Sequence, residues 1–195
     1  MSANFKQLLA ETRSCTLCAD ILVDGVRPVL QVHPDAKILI AGQAPGSKVH
    51  ATGIPFDDPS GDRLRDWMGV SREVFYDEKM VAILPMAFCY PGRGKSGDLP
   101  PPRICAETWR VKILSQMPKV QLILVIGQYA QGWHLVSPQS SLTETVRAWS
   151  SYGEQLLPLP HPSPRNNIWL KKNPWFADEV LPHLKSRVRK VLNQK

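Results

Sequence analysis

Four cysteines are the only thiols in the chain: Cys15, Cys18, Cys89 and Cys105. Their spacing is C-x2-C, then a long interval, then C-x15-C. A C-x2-C pair lets two thiolates reach one metal ion or one cluster iron from a tight turn. The second pair brackets a Pro/Gly-rich loop, Tyr90 to Pro102, so a group bound to all four would pin that loop. Iron–sulfur clusters and structural zinc both use four cysteines, and spacing alone leaves the two open. Four buried thiols holding nothing is the plain alternative. A thioredoxin-like redox pair is disfavoured, because Cys15 and Cys18 follow a helix and not a first strand.

Two loops carry further chemistry. Gly42-Gln43-Ala44-Pro45-Gly46 directly follows an apolar strand. It lacks the order of a dinucleotide-binding loop and the Lys of a phosphate-binding P-loop. Two glycines around a proline make a rigid turn that a ligand can approach closely. The second loop is His161-Pro162-Ser163-Pro164-Arg165-Asn166. Its prolines stiffen it, His161 can donate or accept a hydrogen bond near neutral pH, and Ser163, Arg165 and Asn166 suit phosphate oxygens. Between the loops lie Phe56, an aromatic that either walls a site or packs the core, and the carboxylates Asp57 and Asp58.

The elements that must position these loops follow from periodicity. Helices are expected at 4–13, from a Ser60 cap to Met68, at 103–117, 128–135, 167–172 and 174–193. Strands are expected at Val29 to Val32, Lys37 to Ala41, Met80 to Pro85, Val120 to Ile126 and Leu156 to Leu159. Alternating strands and helices give a mainly parallel sheet covered on both faces, with ligands at the strands' carboxyl ends. Both chemical loops then open on one edge. The 195 residues suit a single domain, 1–195. Apolar residues at 43% exclude disorder of the whole chain, and no apolar run is long enough to span a bilayer. The first residues lack the basic start and apolar stretch of a signal peptide, so a cytoplasmic protein with reduced thiols is expected. The net charge of +7 is uneven: residues 161–195 hold eight Lys/Arg against Asp178 and Glu179, a surplus of six. Such a tail suits a polyanionic partner, or else a solvated helix face.

The ordered set of Gly42–Gly46, Ile54-Pro55-Phe56, the cysteine spacing and His161–Asn166 resembles the uracil-DNA glycosylase superfamily, and within it the iron–sulfur branch often called family four. The resemblance runs from Cys15 to the C-terminal helix. It implies a three-layer α/β/α sandwich around a short, mainly parallel sheet. It implies a monomeric enzyme that flips a deaminated base out of DNA and cuts its N-glycosidic bond. Cys15, Cys18, Cys89 and Cys105 would hold a 4Fe-4S cluster, with structural zinc as the alternative. Phe56 would stack on the base and His161 would hydrogen-bond it. Gly42, Gln43, Ala44, Pro45 and Gly46 would line the water side, and Ser163, Arg165 and Asn166 would grip DNA.

Three departures from the branch mark a divergent subgroup. Gln43 stands where the branch has Glu, so the first loop holds no carboxylate; an amide orients water but takes no proton. Asp58, or Asp57, is the nearest replacement, unless both serve the turn before Ser60. Pro85 stands where the branch has an Asn that reads uracil, so another deaminated base is a candidate substrate. Trp169, Trp175, Lys171 and Lys172 extend the second loop, suited either to DNA or to stapling the last helix. A monofunctional hydrolase is expected, since no pocket lysine is evident. The rivals are a catalytically silent DNA or base binder, and an enzyme trapped covalently on its product through a histidine. The short stretch Ser47 to His50 argues against the latter.

Overall fold

A computed structural model describes residues 2–95 and 97–193. Lys195, counted in the basic tail, lies outside them. The central sheet has four parallel strands: β1 (Ile38–Ala41), β2 (Val81–Ile83), β5 (Leu122–Ile126) and β6 (Leu156–Leu159), in the order β2-β1-β5-β6. A separate two-residue hairpin, β3 (Arg93–Gly94) and β4 (Gly97–Asp98), projects from the Pro/Gly-rich loop. From β1 the chain moves to one neighbour, β2, then crosses to β5 on the other side. The point of reversal lies between β1 and β5, and a parallel sheet opens a crevice there at its carboxyl ends.

Alternating strand residues feed two cores. Ile38, Ile40, Val81, Ile83, Leu122 and Leu124 pack with helix Pro59–Met68 and the C-terminal helix Leu181–Asn193. Leu39, Ala82 and Leu84 pack on the other face with Phe5 and Leu9 of helix Ala3–Arg13 and with Ile113. The result is the expected three-layer α/β/α sandwich. Pro158 is accommodated because β6 is an edge strand. Among the described residues no helix is long and apolar enough to cross a membrane.

Several expectations are corrected. The segment Val29 to Val32 is extended, yet it makes one antiparallel bridge, Gln31 with Ile83, and is no full strand. Its paired amides are split between two partners, the Gln31 N–H donating to Ile83 O at 2.9 Å and the Val29 N–H to Phe88 O at 2.7 Å, so no longer ladder forms. The expected helix 103–117 ends at Leu114 and contains a π-turn, Ala106–Arg110. The last helix likewise begins with a π-turn, Phe176–Val180. Short helices at Ser47–Thr52, Arg72–Tyr76 and Leu142–Arg147 were not anticipated. The N-cap of helix Pro59–Met68 is Asp58 and not Ser60: its Oδ1 accepts from the Gly61 N–H at 3.0 Å, with Pro59 at the first helical position.

Candidate active site

A cavity of about 510 Å³ opens at the carboxyl edge of the sheet. All of Gly42, Gln43, Ala44, Pro45, Gly46, Phe56, Asp58, His161, Ser163, Arg165 and Asn166 line it. The sheet brings the two loops together because β1 and β6 flank β5 and run the same way. The first loop is anchored to the chain leaving β2. The Met86 N–H donates to Gly42 O at 2.8 Å, and the Ala87 N–H to Gln43 O at 3.0 Å. Buried Gln131 ties the ends of β5 and β6, donating to Leu159 O at 3.1 Å just before the second loop.

His161 is fixed in one tautomer. Its Nδ1 accepts the Ser163 N–H at 3.1 Å, so the neutral ring carries its proton on Nε2. Burial pushes its pKa below the usual histidine range, opposed by the negative charges of Asp58 and Asp98. The ring is therefore neutral at pH 7 and offers an N–H donor from Nε2. Asn166 donates to the His161 carbonyl at 2.8 Å and closes the loop on itself. Arg63 clasps the same loop through Ser163 O at 3.1 Å and Asn167 Oδ1 at 2.8 Å.

Phe56 forms the wall. Its φ is +55°, a strained value for a bulky residue. A Cβ on Gly42 would stand 4.0 Å from the tip of its ring, so the ring faces the first loop. Gly61 makes the strained turn possible: a Cβ there would lie 1.8 Å from the Phe56 carbonyl oxygen. Phe75 braces the ring edge-on at 6.1 Å between centroids. Tyr76 Oη donates to the neighbouring Pro55 carbonyl at 3.0 Å.

The carboxylates divide. Asp57 pairs with Arg72 at 2.9 Å. Asp58 lines the cavity, with one oxygen committed to its helix cap. Asp98 also lines the cavity and was missed from sequence, because the hairpin that carries it has no pattern beyond Gly and Pro. Gln43 Nε2 donates to Leu99 O at 3.0 Å, holding that hairpin over the first loop and leaving Oε1 as a free acceptor. Lys48 lines the cavity too, so the expected lysine-free pocket is corrected; this lysine is solvent-exposed. His50 turns away, its Nε2 within 3.0 Å of Asp24 O, and does not line the cavity.

At Pro85 the cavity wall has no N–H, and its carbonyl is already held. Fully buried Arg110 donates to Leu84 O at 2.6 Å and Pro85 O at 2.7 Å. Trp169 and Trp175 do not line the cavity. They pack edge-on with Phe176, and Arg147 lies 4.6 Å over Trp175, so they staple the last helix to the core.

On the second face of the sheet, all four cysteines line one narrow apolar cavity with Leu22, Val26 and Phe88. Trp109 Nε1 donates to Cys15 Sγ at 3.3 Å. Burial pushes the Cys105 thiol up to about 12, and the neighbouring cysteines add to the rise. Among the described residues no three Cys, His, Asp or Glu side chains converge on a point suited to a single ion.

The three-layer sandwich, the crevice at the strand ends, and an aromatic wall and a histidine donor lining one cavity define an α/β protein with a site roomy enough for a nucleobase. A family model described as the uracil DNA glycosylase superfamily matches residues 30–185, and the chain belongs to that superfamily. Its chemistry is thus of the DNA glycosylase type, with DNA as partner.

Proposed function

We propose that this protein is a monofunctional, monomeric repair glycosylase of the cytoplasm, in a divergent subgroup of the iron–sulfur branch. It takes a deaminated base, uracil or a related one, flipped from DNA into the 510 Å³ cavity. It hydrolyses the N-glycosidic bond and leaves an abasic site. The observation that carries this reading is His161, held neutral with its Nε2–H available beside the Phe56 wall.

As the bond to C1′ breaks, the electron pair moves to the base and the sugar becomes cation-like. Phe56 stacks on the base, and the Nε2–H of His161 donates to the base oxygen on which negative charge develops. A neutral donor suits this role because it is preorganised and takes no proton from solvent beforehand. The water that completes the reaction lies on the side of the first loop, within reach of Gln43 Oε1 and the cavity carboxylates. Ser163, Arg165, Asn166 and Lys48 meet phosphates. Lys48 is exposed and lacks the burial that makes a lysine nucleophilic, so no Schiff base forms.

The wall at Pro85 offers the base edge no N–H donor, and its carbonyl already accepts from Arg110. Recognition then rests on the carbonyl that His161 contacts, a group shared by uracil, hypoxanthine and xanthine. Deaminated bases as a class are the substrate.

The four cysteines line one cavity, as a shared 4Fe-4S cluster requires, with structural zinc as the alternative. Such a cluster, when bound by Cys15, Cys18, Cys89 and Cys105, supplies a covalent tie between the N-terminal helix and the loops around β2. None of the four lines the base cavity, so the role is structural.

The test is incubation with duplex and single-stranded oligonucleotides carrying uracil, hypoxanthine or xanthine, followed by alkaline cleavage at abasic sites. Release of at least one base is expected, without a borohydride-trapped adduct. His161→Ala is expected to slow release by about 10²- to 10⁴-fold with melting temperature retained. Tight DNA binding without any release would instead identify a silent binder, the second reading, which the carboxylate-free first loop favours.

A further inference from the structure

The first loop, on the glycosylase reading the water side of the cavity, holds no carboxylate. Three aspartates stand near the cavity, and two are engaged. Asp57 is paired with Arg72. Asp58 is the N-cap of helix Pro59–Met68. Asp98 has neither carboxylate oxygen in a hydrogen bond or ion pair with any described residue, and it lines the cavity.

Its position is set by the hairpin. Asp98 stands opposite Arg93 in the β3–β4 pair, and Gly97 at φ +148° turns the chain back. The latch from Gln43 Nε2 to Leu99 O joins the next residue to the first loop. The Leu99 N–H closes the hairpin base onto Gly92 O at 2.9 Å. A Cβ placed on Gly46 would lie 3.9 Å from Asp98 Oδ2. The carboxylate therefore reaches the end of the first loop from across the cavity. Its charge is felt at the His161 ring, which sits on the same cavity.

We propose that Asp98 is the catalytic carboxylate of this glycosylase, supplied by the β3–β4 hairpin in place of the missing first-loop acid. The inference rests on the glycosylase reading above. Water is held by Asp98, with Gln43 Oε1 as second acceptor. Its oxygen forms the new bond to C1′ and its proton passes to the Asp98 carboxylate. The C1′–N bond breaks, its electron pair leaves with the base, and the Nε2–H of His161 donates to the base oxygen. Gln43 then has two tasks: its nitrogen holds the hairpin and its oxygen faces the water. A Glu at that position could not make the first contact, because a carboxylate cannot donate to the Leu99 carbonyl.

The test is single-turnover base release by Asp98→Asn, Asp98→Glu and Asp58→Asn, with DNA affinity measured separately on an uncleavable duplex. Asp98→Asn is expected to slow release about 10²- to 10⁴-fold with DNA affinity equal or tighter, since a negative charge near phosphates is lost. Asp98→Glu is expected to recover part of the rate, because the longer acid still accepts a proton. Asp58→Asn keeps a good cap residue and is expected to slow release less than about tenfold. Wild-type rates for Asp98→Asn, or an equal loss in Asp58→Asn, would overturn the assignment to Asp98 and leave the glycosylase standing. No release by the wild-type protein from any deaminated-base oligonucleotide would overturn the glycosylase reading itself, and this role with it.

Discussion

At Gly61, a single hydrogen in place of a methyl group decides the shape of the base cavity. The Phe56 carbonyl fills the space where a Cβ would project, and Phe56 itself sits at a strained positive φ. Position 61 lies in a helix, where Gly→Ala ordinarily stabilises by roughly 0.5–1 kcal/mol. Here the sign reverses. Gly61→Ala is expected to destabilise by at least about 3 kcal/mol, beyond ordinary overpacking because the clash is with backbone. It is also expected to move the Phe56 ring and lower base release, as denaturant melts and single-turnover rates would show. A variant more stable than wild type would mean that Phe56 relaxes freely and its strain has no part in the site. His161 teaches the same lesson, since one backbone N–H from Ser163 fixes which ring nitrogen carries the proton.

Among the elements, the π-turn Ala106–Arg110 has the most consequences. It brings Trp109 to the cysteine cavity and adjacent Arg110 to the wall of the base cavity. Arg110 stays charged although burial lowers its pKa to about 10, and its Nη2 lies 2.6 Å from His134 Nε2. Arginine can only donate, so His134 must accept with a neutral ring. Burial first, then the Arg110 charge, lowers the His134 pKa from 6.5 to about 4. The unfolded chain takes a proton near pH 6.5 and the native protein does not. Stability from this group is therefore complete above pH 6.5 and is lost as pH falls toward 4. At about 1.4 kcal/mol per pKa unit the contribution is on the order of 3 kcal/mol. His134→Gln keeps an acceptor and cannot charge. It is expected to flatten the fall in melting temperature between pH 7 and pH 4.5; the same slope as wild type would remove His134 from that dependence.

For the whole molecule, the sheet separates two sites. The base cavity opens at its carboxyl edge, and the cysteine cavity lies against the face covered by helix Ala3–Arg13. The cysteines join a segment near residue 15 to others near residues 89 and 105, so a bound cluster would remove much chain entropy from the unfolded state. Protein purified anaerobically is expected to be brown, with iron and sulfide in equal amounts. Stripping the iron with chelator is expected to lower the melting temperature by on the order of 5–15 °C, at about 2–4 °C per kcal/mol. Colourless protein whose melting point ignores chelator would mean that the four thiols are simply core. The basic tail is partly structural, because Arg187 is buried and donates to Leu156 O and Gly153 O. The exposed Lys171, Lys172, Arg189 and Lys190 remain for a polyanion.

The alternation of apolar strands with helices was enough to give the α/β class, because the period of burial is written in residue type. The two loops were legible for a related reason: Gly, Pro and His at strand ends announce rigid polar turns. The cysteine spacing likewise announced a shared cavity. Other features depend on contacts between residues far apart in the chain, which no local pattern encodes. The π-turn, the cap at Asp58 in place of Ser60, and the inward packing of Trp169 and Trp175 are of this kind. So is Asp98, on a hairpin with only glycine to mark it and held in place by Gln43 more than fifty residues earlier. The sequence by itself determined which chemical groups the site would draw on. Only the tertiary structure decided which carboxylate was left free to act, since that depends on which of the others a helix end or an arginine had already engaged.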